Sequence, residues 1–510
     1  MLCYVRPLSA LVFCGCLAAI TNAQSLNDRF SQFWGPHIVP DSRPPAPPTA
    51  TTFGVAGDSA RAADMMHHWN DEAMKANGLD HTPIARGESR VFGEQLGPGR
   101  SARAAAIIHT AIYDAINAIT HRDVSFSGIP DVPADSSIDA AIAQAAHDTM
   151  VALYPSQRAH CDAVLATDLA GIADGKAKEM GQTAGRMAAA AILQRSTNDG
   201  SVHAEPQLGA GFTPSNEPGH WRQDPISQIP VALGAHWGKV KPLVIRSAAA
   251  YRVPAPPNLH SNEYTQAFNE VKRLGGDGIT TPTERTAEQT MVGLFWAYDG
   301  VPTIGTPVRF FNQIAVAIAD QRGADVVEMA KLLALVNIAM SDAGIAAWES
   351  KFHWQVWRPI TGIREADAGT GPSGKGDGNV HTLGDPSFMP AGAPASNLMG
   401  PNFTPPFPAY PSGHATFGGA LFQMLRNIYR TDSIPFTIVS DELNGLTRGN
   451  DGIVRPLIPR SFRSLSEAEE ENGQSRIYLG IHWAFDKTAG IDQGRKVADD
   501  VYSNTFRARR

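Results

Sequence analysis

The chain has 510 residues and a net charge of −7, with 43% hydrophobic and 18% charged residues. That is an ordinary composition for a folded protein of two or three domains, or of one large helical body, and it excludes wholesale disorder. The mildly acidic balance gives no reason to expect nucleic acid as a partner.

The first 23 residues carry Arg6, an apolar stretch from Leu8 to Ile20, and the small-residue site Thr21-Asn22-Ala23. This is the pattern of a cleaved export signal (1–23), so a secreted or periplasmic location is expected. The apolar stretch is shorter than the roughly 18–20 residues a span needs, so no stable membrane span is expected. Cleavage would remove Cys3, Cys14 and Cys16, leaving Cys161 without a partner for an internal disulfide. Nothing in the sequence points to heme.

Residues 24–60 are read as an extended N-terminal strap, because Asp41 to Thr52 is rich in Pro, Ala and Thr. An N-terminal helical region follows over 61–257. Within it Ala105, Ile108, Ile112, Ile116 and Ile119 recur at helical spacing, and alanine-rich helical patterns occupy Ile138 to Leu153 and Ala177 to Leu193. The Pro-, Gly- and Trp-containing stretch Pro214 to Pro257 reads as a long connection. The C-terminal helical region, 258–510, starts its first helix near Asn262 and continues through Thr286 to Tyr298. From Ala324 to Lys351, Val327, Ala330, Leu333, Val336 and Met340 form one apolar face, which predicts a long buried helix. Pro359 makes its continuation unfavourable. The glycine-rich segment Ala366 to Gly384 lacks the context of a phosphate-binding loop and reads as a surface loop.

Three separated motifs carry the chemistry: Lys351-x6-Arg358-Pro359, Pro411-Ser412-Gly413-His414, and Ser475-Arg476-x5-His482-x3-Asp486. Taken singly they describe a solvated helix end, a turn and a packed histidine. Taken together, in this order, they describe a cage for a tetrahedral oxyanion. Lys351, Arg358 and Arg476 supply fixed positive charge and forked donors. Ser412 adds a hydroxyl, and Gly413 permits close backbone approach. If His414 opens a helix, as the pattern from Ala415 to Leu425 predicts, the anion also meets the positive end of a helix dipole. His482 is the in-line nitrogen ligand or nucleophile. Asp486, four residues on, is placed to take the other ring N–H.

These motifs match, without gap or substitution, the signature shared by vanadium-dependent haloperoxidases and the phosphatidic acid phosphatase type 2 superfamily. The run Phe407 to Phe417, Trp348, the segment Phe295-Trp296-Ala297-Tyr298-Asp299-Gly300 and the segment Asp441 to Gly445 resemble the chloroperoxidase type in particular. The resemblance implies an all-α fold of two four-helix bundles with long connecting loops, and a vanadate site in the C-terminal bundle. It implies vanadate on His482, with oxygens held by Lys351, Arg358, Ser412, Gly413 and Arg476, and Asp486 behind the histidine. It further implies His414 as acid–base group, Lys351 polarising a peroxide oxygen, Asp299 supporting His414 and balancing the cations, and halide near Phe407 and Trp348. Hydrogen peroxide, halide and small organic acceptors are the implied partners. The same cage also suits a secreted acid phosphatase, in which His482 would become a phosphohistidine. The aromatic positions and the chain length favour the haloperoxidase.

Overall fold

A computed structural model describes residues 29–41 and 58–509. The export signal and most of the Pro/Ala/Thr-rich strap lie outside the described residues. In chain order the elements are α1 (29–34), β1 (Val39–Pro40), α2 (Asp58–Asp80), α3 (Gly97–Thr120), α4 (Ile138–Leu153), α5 (Arg158–Ala170) and α6 (Lys176–Arg195). They continue with α7 (Asn262–Leu274), α8 (Ala287–Phe295), α9 (Pro307–Gln321), α10 (Val326–Trp354), α11 (Pro359–Arg364), β2 (Leu398–Met399) and α12 (Gly413–Tyr429). The chain closes through β3 (Phe436–Asn444), β4 (Leu457–Phe462), α13 (Leu465–Tyr478) and α14 (Ala484–Asn504).

The fold is dominated by helix, as expected. α3, α4 and α6 pack on one another, with α2 and α5 against α4, while α10, α12, α13 and α14 form the second group with α9 beside it. α10 also packs along α3, so one apolar core runs through both groups. A second, smaller apolar cluster, which includes Tyr264, Phe268, Trp357 and Trp483, lies under α7 and α11. α10 is, among the described residues, the one helix long and apolar enough to cross a membrane, yet 94% of its most apolar window is buried inside the protein. Cys161 is free and buried.

Two expectations are corrected. The N-terminal strap is not wholly extended: residues 29–34 are helical, because Phe30, Phe33 and Trp34 gain burial on one face of a helical turn. α2 begins at Asp58, ahead of the boundary expected at residue 61. The strap pairs through β1 with β2, Val39 opposite Met399 and Pro40 opposite Leu398. A β3–β4 hairpin, read over from the sequence, pairs Phe436 with Phe462 and Ile438 with Arg460.

Glycines set the approach of the two helices that carry the second and third motifs. A Cβ on Gly419 of α12 would stand 2.5 Å from the Ile491 carbonyl of α14, and one on Gly494 of α14 would stand 2.1 Å from the Thr416 carbonyl of α12. Without these side chains the two backbones pack almost directly, and the start of α12 comes beside the segment that leads into α14.

Candidate active site

α10 starts with a capping box, Asp325 accepting from Val327 and Glu328 N–H while the Glu328 carboxylate accepts from Asp325 N–H. It ends at Gln355, whose left-handed backbone (φ 51°) turns the chain so that Arg358 becomes the N-cap of α11. Lys351 and Arg358 therefore approach the same point from different helices. Lys351 is fully buried, and its Nζ donates to the carbonyls of Pro408 and Ala409 at 2.9 Å each and to that of Pro411. Burial, and then the Arg358 charge, draw its ammonium well below the usual lysine range. All three of its N–H groups are engaged, so any donation to an anion exchanges one of these carbonyls.

Arg358 donates from Nε to Phe407 O at 2.9 Å, and from Nη1 to Ile481 O at 2.8 Å and to His482 Nε2 at 2.9 Å. Burial draws it down to about 9. Arg476, near the end of α13, gives Nη2 to Asp299 at 2.6 and 2.8 Å. Among the described residues, Arg358 Nη2 and Arg476 Nε and Nη1 are buried with no hydrogen-bond partner. Buried guanidinium nitrogens are rarely left so, and three of them beside one histidine are available as donors to an oxyanion.

His482 donates from Nδ1 to Asp486 Oδ2 at 2.8 Å, which leaves a lone pair on Nε2 facing Arg358. The same Asp486 oxygen accepts from Trp483 N–H at 2.9 Å. The contact thus belongs to the cap of α14, which starts only at Ala484, and not to an i,i+4 pair inside a helix. Burial raises Asp486 to about 7. Ser412 N–H donates to the Asp486 carbonyl at 2.9 Å, tying the second motif to the third. Ser412 is the N-cap of α12, which opens at Gly413, where a Cβ would stand 3.2 Å from the Trp348 ring.

His414 donates from Nε2 to the Ala297 carbonyl, and its own carbonyl accepts from Asn472 Nδ2 at 2.9 Å. Both histidines are held well below the usual imidazole range, by burial first and then by the cage cations. Here the structure differs from expectation. Asp299 does not support His414 by a hydrogen bond; it pairs with Arg476, while the ring N–H goes to Ala297. The charge-assisted contact of Arg476 Nη2 with both carboxylate oxygens is the stronger use of the carboxylate, and Asp299 is flanked by positive φ at Tyr298 (48°) and Gly300 (81°). Burial still raises Asp299 against the lowering effect of Arg476.

Phe407 and Trp348 meet with ring centroids 5.0 Å apart, and Lys351 Nζ and Arg358 Cζ stand 5.1 and 4.9 Å from the Phe407 centroid. Trp348 is fixed by its Nε1 donation to Leu233 O at 3.0 Å. Arg476, His482, His414, Asp299, Trp348 and Phe407 all line one small cavity, of about 40 Å³. The sequence reading missed the backbone partners: the carbonyls of Pro408, Ala409, Pro411, Ala297 and Leu233 carry no side-chain signal.

A family model for the VCPO second helical-bundle domain matches residues 331–509. Vanadium chloroperoxidase of Curvularia inaequalis is 32% identical over 503 residues, covering 83% of this chain and 79% of that protein. The chain belongs to the vanadium-dependent haloperoxidase family. A solved bacterial vanadium-dependent iodoperoxidase superposes with a TM-score of 0.66 at 21% identity, over 89% of this chain and 98% of its own. An apo-type bacterial vanadium-dependent chloroperoxidase gives 0.59 at 18% identity, over 80% and 94%. These two share the fold. As a vanadium-dependent haloperoxidase the protein oxidises halide with hydrogen peroxide. Among the described residues no group of three or more His, Cys, Asp or Glu gathers as a metal cation would need. The cage carries an excess of positive charge, which suits vanadate as an oxyanion.

Proposed function

We propose that this haloperoxidase holds vanadate in the cage at His482 and oxidises chloride as well as bromide. The observation that carries the placement is the set of three unpartnered guanidinium nitrogens of Arg358 and Arg476 beside the His482 Nε2 lone pair. When bound, vanadate supplies a Lewis-acidic centre that activates peroxide for two-electron oxidation of halide without changing its own oxidation state. His482 is the nitrogen ligand, kept in the Nδ1–H tautomer by Asp486. Arg358, Arg476, Lys351, Ser412 and the Gly413 N–H hold the oxygens, with the N-terminus of α12 adding its dipole. Asp299 anchors Arg476 and offsets part of the positive charge.

His414 is the acid–base group. Its Nε2–H is committed to Ala297, so Nδ1 is the atom that takes the peroxide proton, and a ring held neutral by burial is ready to do so. Lys351 adds a charge-assisted donor beside the reacting oxygen once it gives up one of its carbonyls. Phe407 and Trp348 form an apolar wall under two cations, where a halide is attracted yet poorly hydrated. Chloride, the harder halide to oxidise, gains most from such a wall.

A halogenation assay of purified protein with chloride, bromide and iodide, with and without orthovanadate, tests the reading. Vanadate-dependent turnover of chloride, with bromide as fast or faster, is expected. Turnover of bromide and iodide with none of chloride removes the chloride assignment. On the pattern of Met1 to Ala23 the reading also includes export, and N-terminal sequencing of the mature protein is expected to begin at Gln24.

A further inference from the structure

The two contacts that hold His414 and Arg476 flank a single side chain. The Ala297 carbonyl accepts from His414 Nε2 and the Asp299 carboxylate from Arg476, and Tyr298 stands between them in the chain, wholly buried. The Ala297 carbonyl lies in the peptide unit before the Tyr298 Cα, and the Asp299 nitrogen and Cα lie in the unit after it. With planar peptides, the φ and ψ of Tyr298 alone set how the carbonyl and the backbone of the acid are disposed. Its φ is 48°, which a bulky residue keeps only where its surroundings hold it. Here they do so from two elements. The ring stacks on Phe310 of α9, with centroids 4.9 Å apart and planes 9° from parallel. The hydroxyl accepts from Asp441 N–H of β3 at 2.7 Å and donates to Asp441 Oδ2 at 3.2 Å. That carboxylate oxygen also accepts from Arg309 Nε at 2.7 Å and Gln313 Nε2 at 3.0 Å, both of α9.

We propose that Tyr298 is a positioning residue for both halves of the site: anchored by Asp441 and Phe310, it sets the Ala297 carbonyl against His414 and the Asp299 carboxylate against Arg476 together. It acts through its neighbours in the chain and not on the reacting atoms. The catalytic consequences rest on the roles proposed above for His414 and the cage. If the anchor is released, the His414 ring loses the acceptor that fixes its orientation and tautomer, and the Arg476 guanidinium loses the carboxylate that aims its unpartnered nitrogens. Both groups are then displaced by one backbone change.

Tyr298→Phe tests this, because it keeps the ring on Phe310 and removes only the hydroxyl. Tyr113→Phe is the matched comparison: Tyr113 is equally buried, its hydroxyl donates to Asp123, and it does not line the cage cavity. Each carboxylate keeps a cation after the change, Arg309 beside Asp441 and Lys331 beside Asp123. Both variants should melt at a lower temperature than wild type. Tyr298→Phe alone should weaken orthovanadate binding in equilibrium dialysis about five- to tenfold, the effect of one neutral hydrogen bond. It should lower kcat for bromide oxidation about tenfold by misplacing the base, with KM for bromide unchanged. It should also move the His414 ring ¹⁵N resonances of vanadate-free protein labelled at histidine, assigned with His414→Gln. Gln313→Met, which removes one donor to Asp441, should give the same changes more weakly and serves if Tyr298→Phe does not fold. A Tyr298→Phe protein that melts lower yet matches wild type in vanadate affinity, kcat and His414 resonances overturns the proposal, as does equal movement of those resonances in Tyr113→Phe. If wild type binds no orthovanadate, the cage reading falls and the resonances still decide: movement in Tyr298→Phe alone supports the anchor, and no movement overturns it.

Discussion

At the scale of single residues, two buried neutral histidines are told apart by what their ring N–H groups face. His482 gives Nδ1–H to a carboxylate and keeps the Nε2 lone pair, whereas His414 gives Nε2–H to a carbonyl and keeps the Nδ1 lone pair, which matches the ligand and base roles proposed for them. His482→Ala is therefore expected to abolish tight vanadate binding, while His414→Ala keeps vanadate and loses halide oxidation. Vanadium content measured beside activity checks this, and equal vanadium in wild type and His482→Ala would reverse the assignment. Phe407→His places a polar ring against Lys351 and Arg358, where it hydrates the halide wall; chloride turnover should fall more than bromide turnover. Parallel losses would mean that Phe407 only packs against Pro405 and Pro406. The residue types of the proposed cage were legible because fixed cations, a hydroxyl, a backbone N–H and a histidine are groups that an oxyanion site can use. The partner of Asp299 was not, since a carboxylate in a loop can reach either a histidine or an arginine, and only tertiary packing brings Arg476 to it.

At the scale of elements, the site depends on how closely α12 and α14 approach. Gly494→Ala drives a Cβ to 2.1 Å from the Thr416 carbonyl, a backbone atom that cannot step aside. It should destabilise the protein by at least the about 1–3 kcal/mol typical of overpacking. Gly473→Ala on α13 meets Lys487 Cγ at 2.5 Å, a side-chain atom that yields by a change of rotamer, and gains helix propensity of about 1 kcal/mol, so it should cost clearly less than Gly494→Ala. Thermal unfolding of both variants measures the contrast, and equal losses would refute the close-approach argument. Periodicity found α4 at its observed ends, and α3, α6 and α10 within a few residues, because each repeats one apolar face over several turns. It passed over α13, whose run of Glu residues shows no apolar stripe, and the β3–β4 hairpin, whose strand faces are only partly buried. Those elements are stabilised by tertiary contacts that no local pattern announces.

At the scale of the whole molecule, the interior holds more cationic than anionic charge at the cage, and that excess has a measurable cost. Lys351 and Arg358 both titrate below their unfolded values, Arg358 at about 9. A buried cation with a depressed pKa lowers stability while it stays protonated in the folded protein, and the penalty is relieved as pH rises through the folded value. The vanadate-free protein should therefore gain stability from this source as pH rises past about 9. Phosphate or vanadate, by raising both pKa values, should cancel that gain and stabilise most at lower pH. Linkage puts the anion's effect at about 2.7 kcal/mol for a hundredfold excess over Kd. Melting curves across this pH range with and without phosphate, and phosphate competition during vanadate reconstitution, test it; no effect of phosphate on either would defeat the shared-cage argument. The sequence alone determined which side chains were available, in what order, and that the chain would be largely helical, because charge type and apolar period are local properties. Only the tertiary structure decided which N–H groups stay unpaired, which nitrogen of each histidine is free, and that Phe33, Trp34 and Thr306 wall the same cavity as His482. Those facts depend on contacts between segments hundreds of residues apart, set by packing that no local pattern records.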